Sequence, residues 1–366
     1  MSLAYRNLIQ DKLRSTLSIL GVGLAIMLIL VLNGFLVGVD QAAANYLDHA
    51  PGSVVVAQKG VKNFLVSSSL LSSDTTDRVR MMKGIAQVTP ILTQPVYLEF
   101  HGQKQFVEMI GYDSRFGGGP WNLVDGREPR ADDEMVLDRV LAELHGIVPG
   151  NTLPVLNRTF TVVGLSAGTS TWLTSFMFVR KTAAESLLLV PGATGFLLVT
   201  PANGISAEIM RDRLSTLPGT HVSLKSELVA NDVALLTRSF SAPLRLMVTI
   251  ALIVGVLVVG LIIYTATVER QREYGVLKAI GARNRRLYRV VTTQAMLVAI
   301  VGSIIGIGLA LGVAQLIMAL RPQFLVVIEP VATLQALAAG FVMAGLSALF
   351  PARLLARLAP ADVFRR

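Results

Sequence analysis

The densest run of charged side chains is Glu269-Arg270-Gln271-Arg272-Glu273-Tyr274-Gly275-Val276-Leu277-Lys278-Ala279-Ile280-Gly281-Ala282-Arg283-Asn284-Arg285-Arg286. Its charges alternate with a small apolar face made by Val276, Leu277 and Ile280, and Gly281 can close a helix in the left-handed conformation. The chemistry on offer is recognition. A short amphipathic helix of this kind suits a groove on a partner, and Gly275 and Gly281 allow close approach and a sharp exit. On physical grounds alone, the same charges also suit an ordinary basic loop beside a membrane.

Catalytic chemistry is harder to find. Four histidines (His49, His101, His145, His221) are scattered with no HExxH or paired ligand spacing, and they read as surface or core residues. SxxK is absent. Asp132-Asp133-Glu134 reads most simply as a solvated acidic turn, with a cation site as the minor alternative. Trp121 and Trp172 lie beside small polar residues and read as packing anchors. No GxxxxGK[ST] phosphate loop occurs, so ATP is not bound in that way. The residues therefore designate no catalytic, metal or cofactor site.

The elements that position the charged run are apolar. Hydrophobic residues make up 52% of the 366-residue chain and charged ones 16%, with a mean hydropathy of +0.59. Runs long enough to cross a bilayer, roughly 20 residues each, occur near 17–39, 244–268, 290–320 and 331–350. The first is longer than the roughly 7–15 apolar residues of a signal peptide. Cysteine is absent, which excludes disulfides and thiolate metal sites.

The net charge of +9 is informative only once divided by location. Residues 1–16, 269–289 and 353–366 hold 14 basic and 4 acidic side chains, whereas residues 40–243 hold 17 and 19. The excess sits at membrane ends on alternate sides of four spans. That is the positive-inside pattern, with both termini cytoplasmic and residues 40–243 outside; nucleic-acid binding explains the charge poorly.

Residues 3–14 fit a short interfacial helix, although a plain charged flank has the same periodicity. The first span carries Gly21 and Gly23, and its outer end continues through Asp40–His49 until Pro51-Gly52. The outer segment reads as mixed α and β. Strands are expected at Ser53–Gln58, Val96–Phe100, Gln105–Tyr112, Thr159–Leu165, Phe176–Val179 and Phe196–Thr200. Helices are expected at Asp74–Met82, Asp138–His145, Thr182–Val190 and Ser206–Leu217, with Asp138 and Ser206 as N-caps. From Val222 to Arg245 an amphipathic stalk leads into the second span, bent or started at Pro243. Gly302, Gly306, Gly308 and Gly312 form two overlapping small-xxx-small pairs in the third span, favouring helix contact within or between subunits. No charge lies in the central part of a span, so no intramembrane carboxylate pathway is visible.

The stretch from Glu269 to Ala282 resembles the coupling-helix signature of ABC-transporter permeases of the FtsX/MacB type, E-R-x-x-E-hydrophobic-G-hydrophobic-hydrophobic-K/R-A-hydrophobic-G. Ala4-Tyr5-Arg6-Asn7-Leu8 with Lys12-Leu13-Arg14-Ser15, and Pro351-Ala352-Arg353 with Pro360-Ala361-Asp362, resemble the family's two ends. Ile110-Gly111-Tyr112-Asp113, Gly126-Arg127, Val136-Leu137 and Phe160-Thr161-Val162-Val163-Gly164 resemble its outer domain more loosely. The likeness spans essentially the whole chain. Where the family often has Ser or Thr after Gly281-Ala282, this chain has Arg283, leaving Asn284 as the cap for the third span.

The resemblance implies a helical membrane protein with four transmembrane helices and an α+β extracytoplasmic domain inserted between helices 1 and 2. The segments expected are an interfacial helix and first span (1–39), the extracytoplasmic domain with its stalk (40–243), the second span (244–268), the cytoplasmic coupling helix (269–289), the third (290–320) and fourth (331–350) spans, and a basic tail (351–366). It places Glu269, Arg270, Glu273, Tyr274, Gly275, Leu277, Lys278 and Gly281 at or near the contact with a separate cytoplasmic ABC ATPase. That ATPase would hold ATP and Mg, with no cofactor on this chain and no enzyme activity of its own. A second permease copy, either identical or a paralogue, is implied in the bacterial inner membrane. The Lys278–Arg285 and Pro360–Phe364 stretches look most like DevC-type glycolipid exporters, which work with a periplasmic membrane-fusion adaptor and an outer-membrane duct. The expected activity is export of a lipid, glycolipid, peptide or drug by mechanotransmission. The alternative is a non-transporting signalling module that activates an outer hydrolase or sensor.

Overall fold

The structure is a computed structural model, describing residues 12–65, 67–100, 102–171, 174–269, 272, 276, 278 and 284–357. Its contacts divide into two units. One holds residues 1–38, 240–321 and 326–366; the other holds residues 39–239 with 322–325.

The first unit is helical. It is built from α1 (Lys12–His49), α6 (Lys225–Glu269), α7 (Asn284–Leu320) and α8 (Pro330–Arg357), the first two of which also supply the ends of the other unit. All four helices are long and apolar enough to cross a membrane. Their shared core sets bulky residues of α1 (Val22, Ile26, Ile29, Leu30) against alanines of α7 and α8 (Ala295, Ala299, Ala336, Ala344, Ala348). Small side chains on one partner let helix backbones approach where lipid offers no hydrophobic drive to associate. Ser347 Oγ adds a 2.9 Å bond to the Val256 carbonyl of α6.

The second unit is a mixed sheet with helices on its faces. Its strands are β1 (Val54–Gln58), β2 (Ile85–Phe100), β3 (Gln103–Tyr112), β4 (Leu123–Gly126), β5 (Glu134–Asp138), β6 (Thr152–Val155), β7 (Arg158–Ser166), β8 (Ser175–Arg180), β9 (Phe196–Pro201) and β10 (Thr220–Leu224). Its short helices are α2 (Ser73–Met81), α3 (Arg139–His145), α4 (Lys181–Leu188) and α5 (Ala207–Leu214). The strand order is β10-β1-β9-β2-β3-β8-β5-β7-β4, with β6 pairing β2 and β7.

The long strand β2 joins two lobes. Its first half pairs with β9 and its second half with β3. Beside the first half, α2 and α5 cover Val54, Val56, Val88, Leu197 and Val199. Beside the second, α3 and α4 cover Leu98, Val107, Met109, Met177 and Val179. The helices start where side chains can cap them. Ser72 and Ser206 cap α2 and α5, and Asp138 accepts from Val140 N and Leu141 N at the start of α3.

The start of the stalk is corrected, and so is a helix start at Pro243. Val222–Leu224 is not helix but the end of β10, which pairs in register with Val54–Val56; the ladder to β1 supplies backbone bonds that an isolated helical turn cannot. The helix then runs unbroken from Lys225 to Glu269 with Pro243 inside it. A proline removes one ladder bond, and the residues around this one are mostly exposed. The acidic turn is also more than solvated. Asp132 pairs with Arg180 at 2.9 Å and accepts from Thr182 Oγ1 at 2.6 Å, and Glu134 binds Arg127.

Candidate functional site

Three places emerge from the residues upward: the polar connection between α6 and α7, the small-residue face of α7, and the base of the outer domain.

Helix α6 ends at Glu269, which is exposed, and α7 begins at Asn284. Between them Arg272, Val276 and Lys278 are helical; Arg272 and Val276 are exposed and Lys278 is half-buried. Arg270, Glu273, Tyr274, Gly275, Leu277 and Gly281 lie outside the described residues, as does residue 283, which bears on capping at Asn284.

On α7 the four glycines divide into two kinds. A Cβ on Gly302 would lie 2.7 Å from Val22 Cβ, and one on Gly306 would lie 2.6 Å from the Gly23 carbonyl and 2.8 Å from Ile26 Cβ. Those two admit α1 at backbone distance. A Cβ on Gly308 or Gly312 would meet nothing within 4 Å, so that pair lies on an open face. Spacing alone does not separate the two pairs.

At the base of the outer domain, the outer ends of α1 and α6 meet the sheet. Thr237 Oγ1 donates to Asp40 Oδ1 at 2.6 Å, and Lys225 Nζ donates to the Ala50 carbonyl at 3.0 Å. Tyr46 is buried and donates to the Gly118 carbonyl at 2.8 Å. Around it packs an aromatic cluster: Phe64 stacked at 5.0 Å, Phe176 at 5.6 Å and Trp121 edge-on at 6.1 Å. His49 stacks on Trp121 at 4.6 Å. Trp121 thus packs within this cluster, while Trp172 and His101 lie outside the described residues. Asp232 of α6 binds the backbone of Phe64 and Leu65. The sequence reading missed this carboxylate; its one signal was an acid in line with Leu228 and Leu236 at helical spacing.

Elsewhere in the outer domain an open depression of about 360 Å³ is lined by Tyr112, Asp113, Ser114, Arg115 and Arg180. Its cations are already paired, Arg115 with Asp113 at 2.6 Å and Arg180 with Asp132. Arg115 holds the Asp113 carboxyl below the usual carboxylate range. Glu108 on β3 is buried, and desolvation pushes it up to about 8, which favours the neutral carboxyl.

Four membrane-length helices with an α/β domain inserted between the first and second define a polytopic membrane protein with one large outer domain. Residues 15–217 match the family model for the MacB-like periplasmic core domain, and residues 245–360 match that for the FtsX-like permease C-terminal region. The chain belongs to the ABC transporter permeases of the MacB/FtsX type.

Among its relatives is an uncharacterized ABC transporter permease of Mycobacterium tuberculosis, 24% identical over 346 residues that cover 94% of this chain and 93% of that one. The macrolide export ATP-binding/permease protein MacB of Photorhabdus laumondii is 25% identical over 401 residues. That match covers all of this chain but 60% of MacB. The periplasmic region of MacB from Actinobacillus actinomycetemcomitans is similar with a TM-score of 0.39 and 12% identity, over 50% of this chain and 94% of that one.

Proposed function

We propose that this chain is the transmembrane subunit of an exporter that turns ATP hydrolysis by a separate ATPase into movement of its own outer domain. The observation that carries this reading is helix α6. A single uninterrupted helix starts beside β10 of the outer domain and ends at Glu269, the first residue of the polar connection. A helix of 45 residues is about 68 Å long at 1.5 Å per residue, and it transmits displacement along its length far better than a chain with a flexible joint. Residues 269–289 are the input, facing the cytoplasm with both termini, and the outer domain is the output.

ATP and Mg belong to the partner ATPase, since the sequence has no phosphate loop. A second permease copy, a periplasmic adaptor and an outer-membrane duct complete the assembly in this reading. The cargo is a lipid, glycolipid, peptide or drug taken from the outer leaflet or periplasm. Two relatives that unite both functions in one chain, MacB and the probable syringafactin export protein SyfD of Pseudomonas syringae, carry export in their names. The test is co-purification of the ATPase with Glu273→Ala/Leu277→Ala permease. Loss of the ATPase with normal permease yield is expected, and unchanged association would sink the coupling assignment.

A further inference from the structure

The root of α6, residues 225–239, buries Leu228, Asp232 and Leu236 at 1%, 1% and 7% exposure. The residues are four apart, so they form one stripe down the helix. A stripe that packs on a sheet is normally apolar throughout; here its middle member is a carboxylate.

That carboxylate is fully engaged. Oδ1 accepts from the Phe64 N–H at 3.0 Å and from the Leu65 N–H at 3.4 Å, and Oδ2 accepts from the Phe64 N–H at 3.1 Å. The neighbouring Asn231 donates from Nδ2 to the Lys62 carbonyl at 3.0 Å. Residues 62–65, which belong to no helix or strand, are therefore tied along their whole length to one turn of α6. The Phe64 ring faces the other way. It stacks on Tyr46 of α1 with an interplanar angle of 3° and tilts against Phe196 of β9 at 5.1 Å. The same segment follows β1, which ends at Gln58.

One short segment thus meets both membrane-rooted helices and strand β9 of the sheet. A leucine at 232 would satisfy the burial of this stripe without the desolvation cost of a charge. What the carboxylate supplies is direction: apolar contacts are non-directional, whereas hydrogen bonds to fixed backbone N–H groups hold one geometry.

We propose that Asp232 is a positioning residue which, through Phe64, locks the roots of α6 and α1 to the outer sheet so that all three move as one body during the transport cycle. The inference rests on the lever reading above. Its test separates the two, using the full chain assembled with its ATPase in lipid discs. The chain has no cysteine, so paired spin labels can be placed freely. One pair, Ser239→Cys with Lys104→Cys, reports the helix root against the sheet. A second, Lys104→Cys with Arg321→Cys, reports the outer domain against the spans.

With wild-type residue 232, ATP shifts the second distance and leaves the first unchanged. In Asp232→Leu, which keeps the buried stripe and removes both acceptor oxygens, ATP broadens or shifts the first distance, the shift in the second falls at least twofold, and ATP hydrolysis continues. If Asp232→Leu gives both distances as in wild type, the clasp is overturned while the lever stands. If ATP moves neither pair in the wild type, the lever fails and the clasp with it. Should Asp232→Leu not assemble, Phe64→Leu takes its place; it keeps every backbone bond to Asp232 and removes the stack on Tyr46. Loosening of the first pair supports the proposal, and wild-type distances overturn it.

Discussion

Replacing Glu108 by glutamine should stabilise the outer domain, and increasingly so as the pH rises. Glu108 sits in β3 with Pro95 of β2 and Phe176 of β8 as its register neighbours, and it is 4% exposed. Burial alone pushes its side-chain pKa from 4.5 to about 8, with no compensating charge or hydrogen bond among the causes. A carboxyl whose folded pKa is raised contributes stability below its unfolded pKa and loses it as pH climbs through the folded value. The window here is therefore pH 4.5 to about 8. At about 1.4 kcal/mol per pKa unit, the full loss is about 5 kcal/mol as a ceiling. Glutamine keeps the shape and never ionises. The variant should match wild type near pH 4.5 and exceed it by several kcal/mol at pH 8.5, a rise of roughly 10 °C or more in the melting midpoint. Both tryptophans, Trp121 and Trp172, lie in the outer segment. Their fluorescence during thermal unfolding of the detergent-solubilised chain reads this domain and not the spans. Parallel pH profiles for the two proteins would refute the reasoning, because they would mean that Glu108 is ionised in the folded state.

Gly306→Leu should force α1 off α7 and destabilise the membrane unit by about 1–3 kcal/mol, while Gly308→Leu, which meets open space, should leave the melting of the solubilised chain unchanged. Leu189 holds a left-handed backbone (φ 58°) at 81% exposure. Leu189→Gly should raise the tryptophan-detected midpoint, reflecting relief of about 1 kcal/mol of strain. The bond from Arg127 holds Glu134 down at about 2, with the Arg130 and Ala131 N–H groups adding to it. A depressed carboxyl gives stability that is present above its unfolded pKa and lost as pH falls through the folded one. Glu134→Gln should thus cost about 1–2 kcal/mol at pH 7, a value reduced by the partial exposure of Arg127. The deficit should shrink between pH 4.5 and 2 in acid melts.

The spans were legible because bilayer thickness imposes a length that few other structures need. The central strands of the sheet were legible where β-branched and aromatic residues cluster, as in Gln105–Tyr112, Phe176–Val179 and Phe196–Thr200. The missed pieces have weaker local signals. Ile85–Gln94, which carries Gln87 and Pro90, is not among the expected strands, yet β9 pairs Ile85–Ile91 into the first half of β2. Leu123–Gly126 and Thr152–Val155 are four-residue strands whose stability comes from their partner β7, which no local window contains. Val222–Leu224 has helical spacing with the stalk behind it, and only pairing with β1 makes it strand. The base of the outer domain was legible in fragments: Tyr46, Phe64 and Asp232 lie far apart in sequence, and none carries a motif. The glycines of α7 were legible as a group but not as two faces, since spacing records which residues are small and not what faces them.

The position of β1 has a consequence for how the protein is made. It is the first strand to leave the membrane, directly after α1, yet its neighbours are β9 and β10, the last two strands before α6. Val54 waits for Val199 and then Leu224. During synthesis an apolar strand, buried on both faces once folded, stays without a ladder partner until nearly the whole outer segment has been translocated. Its unpaired edge is the region most prone to aggregation in the nascent chain. Assembly of the domain is thereby timed to the arrival of the second span, and a chain truncated before residue 196 would leave the membrane with an open β edge beside its first helix.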